Sequence, residues 1–175
     1  TYHSIHHTYD VLQVTEELCE AEGIAPYETL LLKTAALFHD SGFTRSNKNH
    51  EEYGCTIAKS VLPGYDYKAG EIERICSMIM ATKIPQSPQN YLEKIICDAD
   101  LDYLGRSDFY PIGDTLFQEL KAYGVLETEL EWNNLQIKFL EAHEFCTPTN
   151  IRRREPQKQE HLRQLKEWMS VHSEA

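Results

Sequence analysis

The chain of 175 residues carries 28 acidic and 17 basic side chains, a formal net charge of −11, and 41% hydrophobic residues. A chain of this length and composition can bury one sizeable core, as an ordinary globular protein does. The charge argues against a nucleic-acid polymer as partner, because polymer binding needs clustered Lys and Arg. The sequence lacks a run of about 18 apolar residues, so no membrane span is expected.

Five cysteines are scattered along the chain without a CxxC pair, and no signal-peptide pattern is visible. Neither a disulfide framework nor a zinc knuckle is therefore expected, and a reduced, cytoplasmic compartment fits best. One basic run, residues 152–154 with Lys158, is interpreted as the solvated start of a helix. A homo-oligomer is compatible with the sequence.

Apolar residues recur at helical spacing in nearly every segment, and no period-two pattern with hairpin turns competes. In chain order the predicted helices span 3–22, 26–40, 50–62, 67–81, 88 or 90 to about 104, 109–123, 129–145 and 155–171. Gly and Pro residues separate them. No repeat, low-complexity tract or long linker marks a boundary. The sequence therefore predicts an all-α fold, with residues 1–175 forming a single domain.

Polar side chains fall on the apolar faces of three predicted helices. His3 and His7 lie four residues apart on the face of the first helix that continues with apolar residues. His39 shares the apolar stripe of the second helix, and Asp40 follows it directly. On the fifth helix, "LEKIICDADLDYLG", Asp100 shares the stripe. Three helices are therefore expected to direct imidazoles and carboxylates inward.

The two aspartates on either side of Asp100 fall on a different helix face. Asp98 and Asp102 are therefore expected to be more exposed than Asp100.

Burying His7, His39, Asp40 and Asp100 separately would require a partner for each, because unpaired buried polar groups are costly. One divalent cation would satisfy all four. This mixed nitrogen and oxygen set suits Mn, Fe, Co, Ni or Mg, with Zn as an alternative, and four ligands leave positions open for catalysis. The alternative is a metal-free polar network, which needs hydrogen-bond donors that these stripes do not supply.

The order H…HD…D resembles the motif of the HD-domain superfamily of metal-dependent phosphohydrolases. The phrases "YHSIHHTYDV", "ALFHDSGF", "NHEEYGCTIAKSVL" and "ICDADLDYLG" fall in that family's order and approximate spacing within residues 2–104. The resemblance implies a helical bundle of the HD type, which the helices of residues 105–175 would complete. It also implies a metal held by His7, His39, Asp40 and Asp100.

Further roles follow from the same resemblance. His3 resembles the general acid of cyclic-nucleotide phosphodiesterases with this fold, and His50 resembles a histidine that binds a second metal or the substrate phosphate. Where di-metal members carry another His or His pair, this chain reads "MIMATKIP". A complete second metal site is therefore not expected, and Lys83 is a candidate for binding a phosphate oxygen, with a solvated helix end as the alternative. Arg106 is a candidate for the substrate pocket, with a role in the turn as the alternative.

The resemblance implies hydrolysis of a small phosphate ester or anhydride, with a nucleotide as the favoured class. The metal would polarise a phosphoryl oxygen and acidify a water, Asp40 would orient that water, and His3 would protonate the leaving oxygen. One alternative is a di-iron oxygenase on the same scaffold, which needs a fuller ligand set. The other is a non-catalytic module that senses nucleotides or binds a partner.

Overall fold

The structure, a computed structural model, describes residues 2–172. Over that range it contains nine α-helices, three short 3-10 helices and no strand, which confirms the predicted all-α class. The α-helices are α1 Ile5–Ala21, α2 Pro26–Phe38, α3 His50–Val61, α4 Ala69–Ala81, α5 Tyr91–Asp100, α6 Phe109–Ala122, α7 Glu129–Ala142, α8 Pro148–Arg153 and α9 Glu155–His172. The 3-10 helices are Ser41–Thr44, Leu62–Tyr65 and Asp102–Gly105.

The described residues form two compact units. The first unit spans residues 3–101, and the second comprises Tyr2 and the described residues from Asp102 onward. The prediction that the whole chain is a single domain stays a prediction.

The core of the first unit lies among α1 to α5, where the apolar face of each helix meets its neighbours. Leu18, Leu31 and Ile75 are fully buried there. Replacing a leucine at such a position with alanine typically costs about 2–5 kcal/mol of folding free energy. The apolar periodicity that predicted these helices is therefore also what packs them together.

The second predicted helix ends earlier than expected. α2 stops at Phe38, and its open end is closed by the Ser41 hydroxyl, which donates to the Phe38 carbonyl at 2.7 Å. The chain then turns through a 3-10 helix in which Gly42 lies against the start of α3. A Cβ at Gly42 would lie 1.8 Å from the His50 carbonyl oxygen, so only glycine allows this approach.

The start of α5 is fixed by a buried carboxylate. The Asn90 side chain accepts a hydrogen bond from the Glu93 backbone N–H at 3.1 Å. Glu93 in turn accepts from the Ser77 hydroxyl at 2.5 Å and from the Gln89 backbone N–H at 2.6 Å. These bonds tie α5 to α4 and hold the register that places Asp100 as the last residue of α5.

The second unit contains one helix that the periodicity missed, α8, which begins at Pro148 after the side chain of Thr147 caps its start. At six residues it is too short for a helical period to be visible. α7 packs against α9, and α8 against the start of α9.

The expectation of a solvated basic run is wrong for Lys158. This side chain is 1% exposed. Its ammonium group donates to the His143 carbonyl at 2.5 Å and pairs with Glu155 at 3.0 Å. A buried ammonium group needs such partners because burial removes its hydration. The arginines at 152 and 153 are exposed, as expected, whereas Arg154 is half-buried and pairs with Asp102 at 2.8 Å.

Among the helices of residues 2–172, none combines the length and the apolar character that crossing a bilayer requires.

Candidate metal centre

Three helix ends of the first unit supply the predicted ligands. His7 lies in the first turn of α1, His39 and Asp40 directly follow the last residue of α2, and Asp100 ends α5. Side chains at helix ends can reach past the apolar core without interrupting it. The four residues are consequently buried or nearly buried, with side-chain exposures of 1% for His39 and 14% for Asp100.

The donor atoms of these residues converge. The Asp100 Oδ1 atom lies 3.1 Å from His7 Nε2 and 3.4 Å from His39 Nε2. The Asp40 Oδ2 atom lies 3.3 Å from His39 Nε2 and 3.5 Å from His7 Nε2. The two Nε2 atoms are 3.4 Å apart. The structure therefore brings together all four residues that the sequence predicts as ligands, with His7, His39 and Asp100 forming the tightest group.

A backbone contact sets the orientation of His39. Its Nδ1 atom lies 2.7 Å from the Ala36 carbonyl oxygen. A carbonyl oxygen only accepts hydrogen bonds, so Nδ1 carries the proton and donates. In the neutral ring the lone pair is then on Nε2, which faces the carboxylates of Asp40 and Asp100. This is the arrangement of a metal-binding imidazole held by a hydrogen bond from its other nitrogen.

The charges of the cluster shift its pKa values. Burial lowers the pKa of His39, but the carboxylates of Asp40 and Asp100 outweigh burial and raise that pKa well above its usual value. Burial raises the pKa of Asp100, yet the imidazoles of His39 and His7 outweigh it and hold that pKa well below its usual range. The cluster therefore favours positive charge among its carboxylates.

The residues fit a divalent ion. The Asp40 Oδ2 atom is buried without a hydrogen-bond partner among the described residues, although it faces two imidazole nitrogens. Ligands held at about 2.0–2.2 Å from one ion lie about 3 Å apart, close to the spacings of these nitrogen and oxygen atoms. A cation among them would satisfy Asp40 and the lone pair of His39 together. His7, His39, Asp40 and Asp100 are therefore a suitable donor set for a divalent metal.

His3 and His50 lie beside the cluster, against one aromatic ring. The Phe43 ring centroid is 3.9 Å from that of His3 and 4.0 Å from that of His50. His50 Nε2 also lies 3.5 Å from Asp40 Oδ1 and 3.3 Å from Glu51 Oε1. Burial lowers the pKa of His50, although the Glu51 and Asp40 carboxylates partly oppose this. One carboxylate oxygen of Asp40 thus faces His7 and His39, and the other faces His50.

Phe43 was not predicted as a site residue. The signal was available, because an aromatic residue directly follows the His-Asp-Ser-Gly turn. Phe43 contacts His3, the first residue of this unit. This contact depends on the packing of α1 against α2 and is visible only in the structure.

Lys83 and Arg106 are each held by acidic neighbours. Lys83 Nζ lies 2.5 Å from Glu52 Oε1, and the Glu52 carboxylate raises the pKa of Lys83. In the second unit, Arg106 contacts Asp108 through Nε at 2.9 Å and through a terminal nitrogen at 2.7 Å. It also lies 3.7 Å from Asp102. Substrate binding by Lys83 and by Arg106 stays a prediction.

The expectation that Asp98 and Asp102 are more exposed than Asp100 is wrong. Each is 1% exposed, whereas Asp100 is intermediate. Asp102 lies in the 3-10 helix beyond α5, and its carboxylate accepts from Arg154 Nε at 2.8 Å and from Asn150 Nδ2 at 3.1 Å. The helical face argument does not hold for Asp102 because α5 ends before it. For Asp98, burial shows that α5 is enclosed on more than one side.

Comparison with known proteins agrees with this site. The HD domain family model matches residues 4–102, more than half of the chain and the whole of the predicted ligand set. HD domains bind divalent metals, and they mark a superfamily of metal-dependent phosphohydrolases whose members are mostly hydrolases. No curated protein and no solved structure matches the chain significantly. The match and the converging ligands together show that the chain belongs to the HD domain family.

Proposed function

We propose that this protein hydrolyses a small phosphate ester or anhydride with a divalent ion held by His7, His39, Asp40 and Asp100. The observation that carries the proposal is the convergence of two imidazole nitrogens and two carboxylate oxygens, with Asp40 Oδ2 buried and lacking a partner among residues 2–172. The family match supports the reaction class, because the superfamily consists of metal-dependent phosphohydrolases. A nucleotide is the proposed substrate class.

When bound, a divalent ion supplies positive charge that polarises a phosphoryl oxygen and makes a neighbouring water more acidic. Asp40 would orient that water and accept its proton. Its Oδ2 atom faces the ligand cluster, and its Oδ1 atom remains available to accept a proton while lying 3.5 Å from His50 Nε2. His50 would then stabilise the negative charge of Asp40 and of a substrate oxygen.

His3 is the proposed general acid. Its ring stacks on Phe43, and its centroid lies 6.4 Å from that of His7 and 6.0 Å from that of His50. It is therefore close to the ligands without being one of them. An imidazole beside the metal ligands can protonate the leaving oxygen.

A second ion would lie beside His50, where Asp40 Oδ1 and Glu51 Oε1 are the nearest carboxylate oxygens. We propose one ion as the working state, because within residues 2–172 only His7, His39 and Asp100 form a group of three or more ligand atoms that all lie within 4.8 Å of one another. A di-iron centre would need a further histidine ligand in the region of Lys83. The chain has a lysine there, paired with Glu52, so a di-iron centre is not supported.

The test measures metal content and phosphate release on the purified protein, loaded with Mn²⁺ and supplied with a panel of nucleotides. Asp40→Asn is compared with Asp66→Asn, an exposed aspartate with positive φ where asparagine is well tolerated. We expect about one ion per chain and phosphate release in the wild type and in Asp66→Asn, and loss of both in Asp40→Asn. Metal binding without phosphate release from any substrate would favour the non-catalytic module. Absence of metal binding under every loading condition would overturn the proposal.

A further inference from the structure

The second unit contains a cavity that the proposed metal chemistry does not use. It lies among α6, α7 and α9 and has a volume of about 510 Å³. Small-molecule sites in proteins have volumes of about 300–1,000 Å³. The aromatic residues that line the cavity are Tyr110, Phe117, Trp132 and Trp168. Both tryptophans of the chain are among them.

Two buried amides line the same cavity. Asn133 is 6% exposed and Gln136 is 7% exposed. Gln136 Nε2 donates a hydrogen bond to Asn133 Oδ1 at 3.0 Å. The two side chains make no further hydrogen bond within residues 2–172, and both line the cavity. The cavity therefore offers one amide donor and one carbonyl acceptor side by side.

Gly113 lets α6 approach these amides. A Cβ at this position would lie 3.2 Å from Gln136 Oε1 and 3.7 Å from the Trp132 ring. The small residue thus lets the backbone of α6 pack close to Gln136 and Trp132.

The charges of the lining favour a ligand without a phosphate. Asp114 and Glu129 contribute carboxylates, and none of the lining residues is Lys or Arg. Two carboxylates repel an anionic ligand, so a molecule without a phosphate is better accommodated.

We propose that this cavity binds a nucleobase, as the free base or the nucleoside. The base would stack against the aromatic side chains of the lining, and its edge would bond to the amides of Asn133 and Gln136. Every nucleobase has a flat face that stacks on aromatic side chains, and an edge that carries donors and acceptors of the kind an amide pairs with. The proposal is independent of the phosphohydrolase activity, because it rests only on residues of the second unit.

Tryptophan fluorescence tests the proposal directly, because both tryptophans line the cavity. The protein is titrated with adenosine in the presence of a chelator, which keeps the metal centre from contributing. We expect saturable quenching by adenosine, several-fold weaker binding of adenosine monophosphate and no response to ribose. The variant Gln136→Met should weaken adenosine binding about tenfold, because an amide edge is lost. The exposed neighbour Asn134 provides the matched control, Asn134→Leu, which should bind as the wild type does.

A second variant keeps the test decisive if Gln136→Met does not fold. Asp114 is exposed, so Asp114→Asn should fold normally. It should improve the binding of adenosine monophosphate relative to that of adenosine. Three results would overturn the proposal: no saturable response to adenosine, saturable quenching by choline instead, or loss of adenosine binding in Asp40→Asn.

Discussion

His39 illustrates how one hydrogen bond decides what a buried side chain can do. Its bond to the Ala36 carbonyl places the ring proton on Nδ1 and leaves the Nε2 lone pair 3.3 Å from Asp40 Oδ2 and 3.4 Å from Asp100 Oδ1. A lone pair facing two carboxylates is unfavourable unless a cation lies between them. Either a proton or a metal ion can be that cation, and the two therefore compete for the site.

Replacing Asp100 with asparagine should weaken metal binding by at least about a hundredfold, since its Oδ1 atom lies within 3.4 Å of the Nε2 atoms of both His7 and His39. Competition with a chelating dye measures the affinity. Asp66→Asn, an equal change of charge on the surface, should bind metal as the wild type does. Unchanged affinity in Asp100→Asn would remove this residue from the ligand set.

The stability of the metal-free protein should fall as pH rises above neutrality. The pKa of His39 is raised by Asp40 and Asp100 despite burial, so its contribution is complete below the unfolded value of about 6.5 and is lost as pH rises through the folded value. Thermal unfolding in chelator from about pH 6 to 9 measures this. His39→Gln should flatten the dependence, whereas the exposed His6→Gln should not. An identical pH dependence in His39→Gln would contradict the assignment.

Removing the Phe43 ring should impair catalysis while leaving the metal in place. Phe43 contacts the rings of His3 and His50 but is not a ligand, so Phe43→Leu would allow both imidazoles to move. We expect phosphate release to fall several-fold with unchanged metal content and a changed pH profile. Loss of metal together with activity would instead indicate a structural role for the ring.

The connection between α2 and α3 determines where the ligands lie. α2 ends at Phe38, and the chain turns back so that Gly42 touches the backbone of His50. Gly54 in α3 has a similar role, since a Cβ there would lie 2.8 Å from the Phe38 carbonyl oxygen. Two glycines thus allow two helix ends to meet, and this brings His39 and Asp40 close to His50.

Gly42→Ala should destabilise the protein by about 3 kcal/mol, because the new methyl group would overlap the His50 carbonyl and displace α3. Chemical denaturation measures the free energy of unfolding. Gly70→Ala in α4 is the matched control, since a Cβ there meets nothing within 4 Å, and it should stabilise the protein by about 0.5–1 kcal/mol. Equal effects of the two changes would contradict this account of Gly42.

For the molecule as a whole, a formal charge of −11 and a cluster that places two carboxylates next to each other both favour binding of a cation. A ligand that binds only the folded state stabilises it by mass action. The metal should therefore stabilise the fold of the first unit as well as take part in the reaction.

Saturation with a divalent ion should raise the melting temperature by several degrees, since a concentration of 100 times the dissociation constant contributes about 2.7 kcal/mol. Differential scanning fluorimetry with and without chelator measures the shift. Asp40→Asn should lose the shift, and Asp66→Asn should retain it. A shift that persists in Asp40→Asn would place the stabilising ion elsewhere.

Much of the first unit follows from periodicity. The recurrence of apolar residues every three to four positions predicted each of its five helices and directed His7, His39 and Asp100 inward, because a helix in contact with a core must bury one face. The HD motif order then identified the family. Helix ends were less predictable, since α2 stops at Phe38 and α5 at Asp100, each before its predicted end.

The sequence alone thus determined the helical class, the family and the residues that converge, because these depend on side-chain type and spacing. Packing between distant segments decided the rest. Packing buried Asp98, Asp102 and Lys158, which were expected to be exposed, because neighbouring segments enclose each of these side chains. It also directed the lone pair of His39 and opened the cavity beside Gln136, two features that depend on distances between helices and not on the pattern within any one of them.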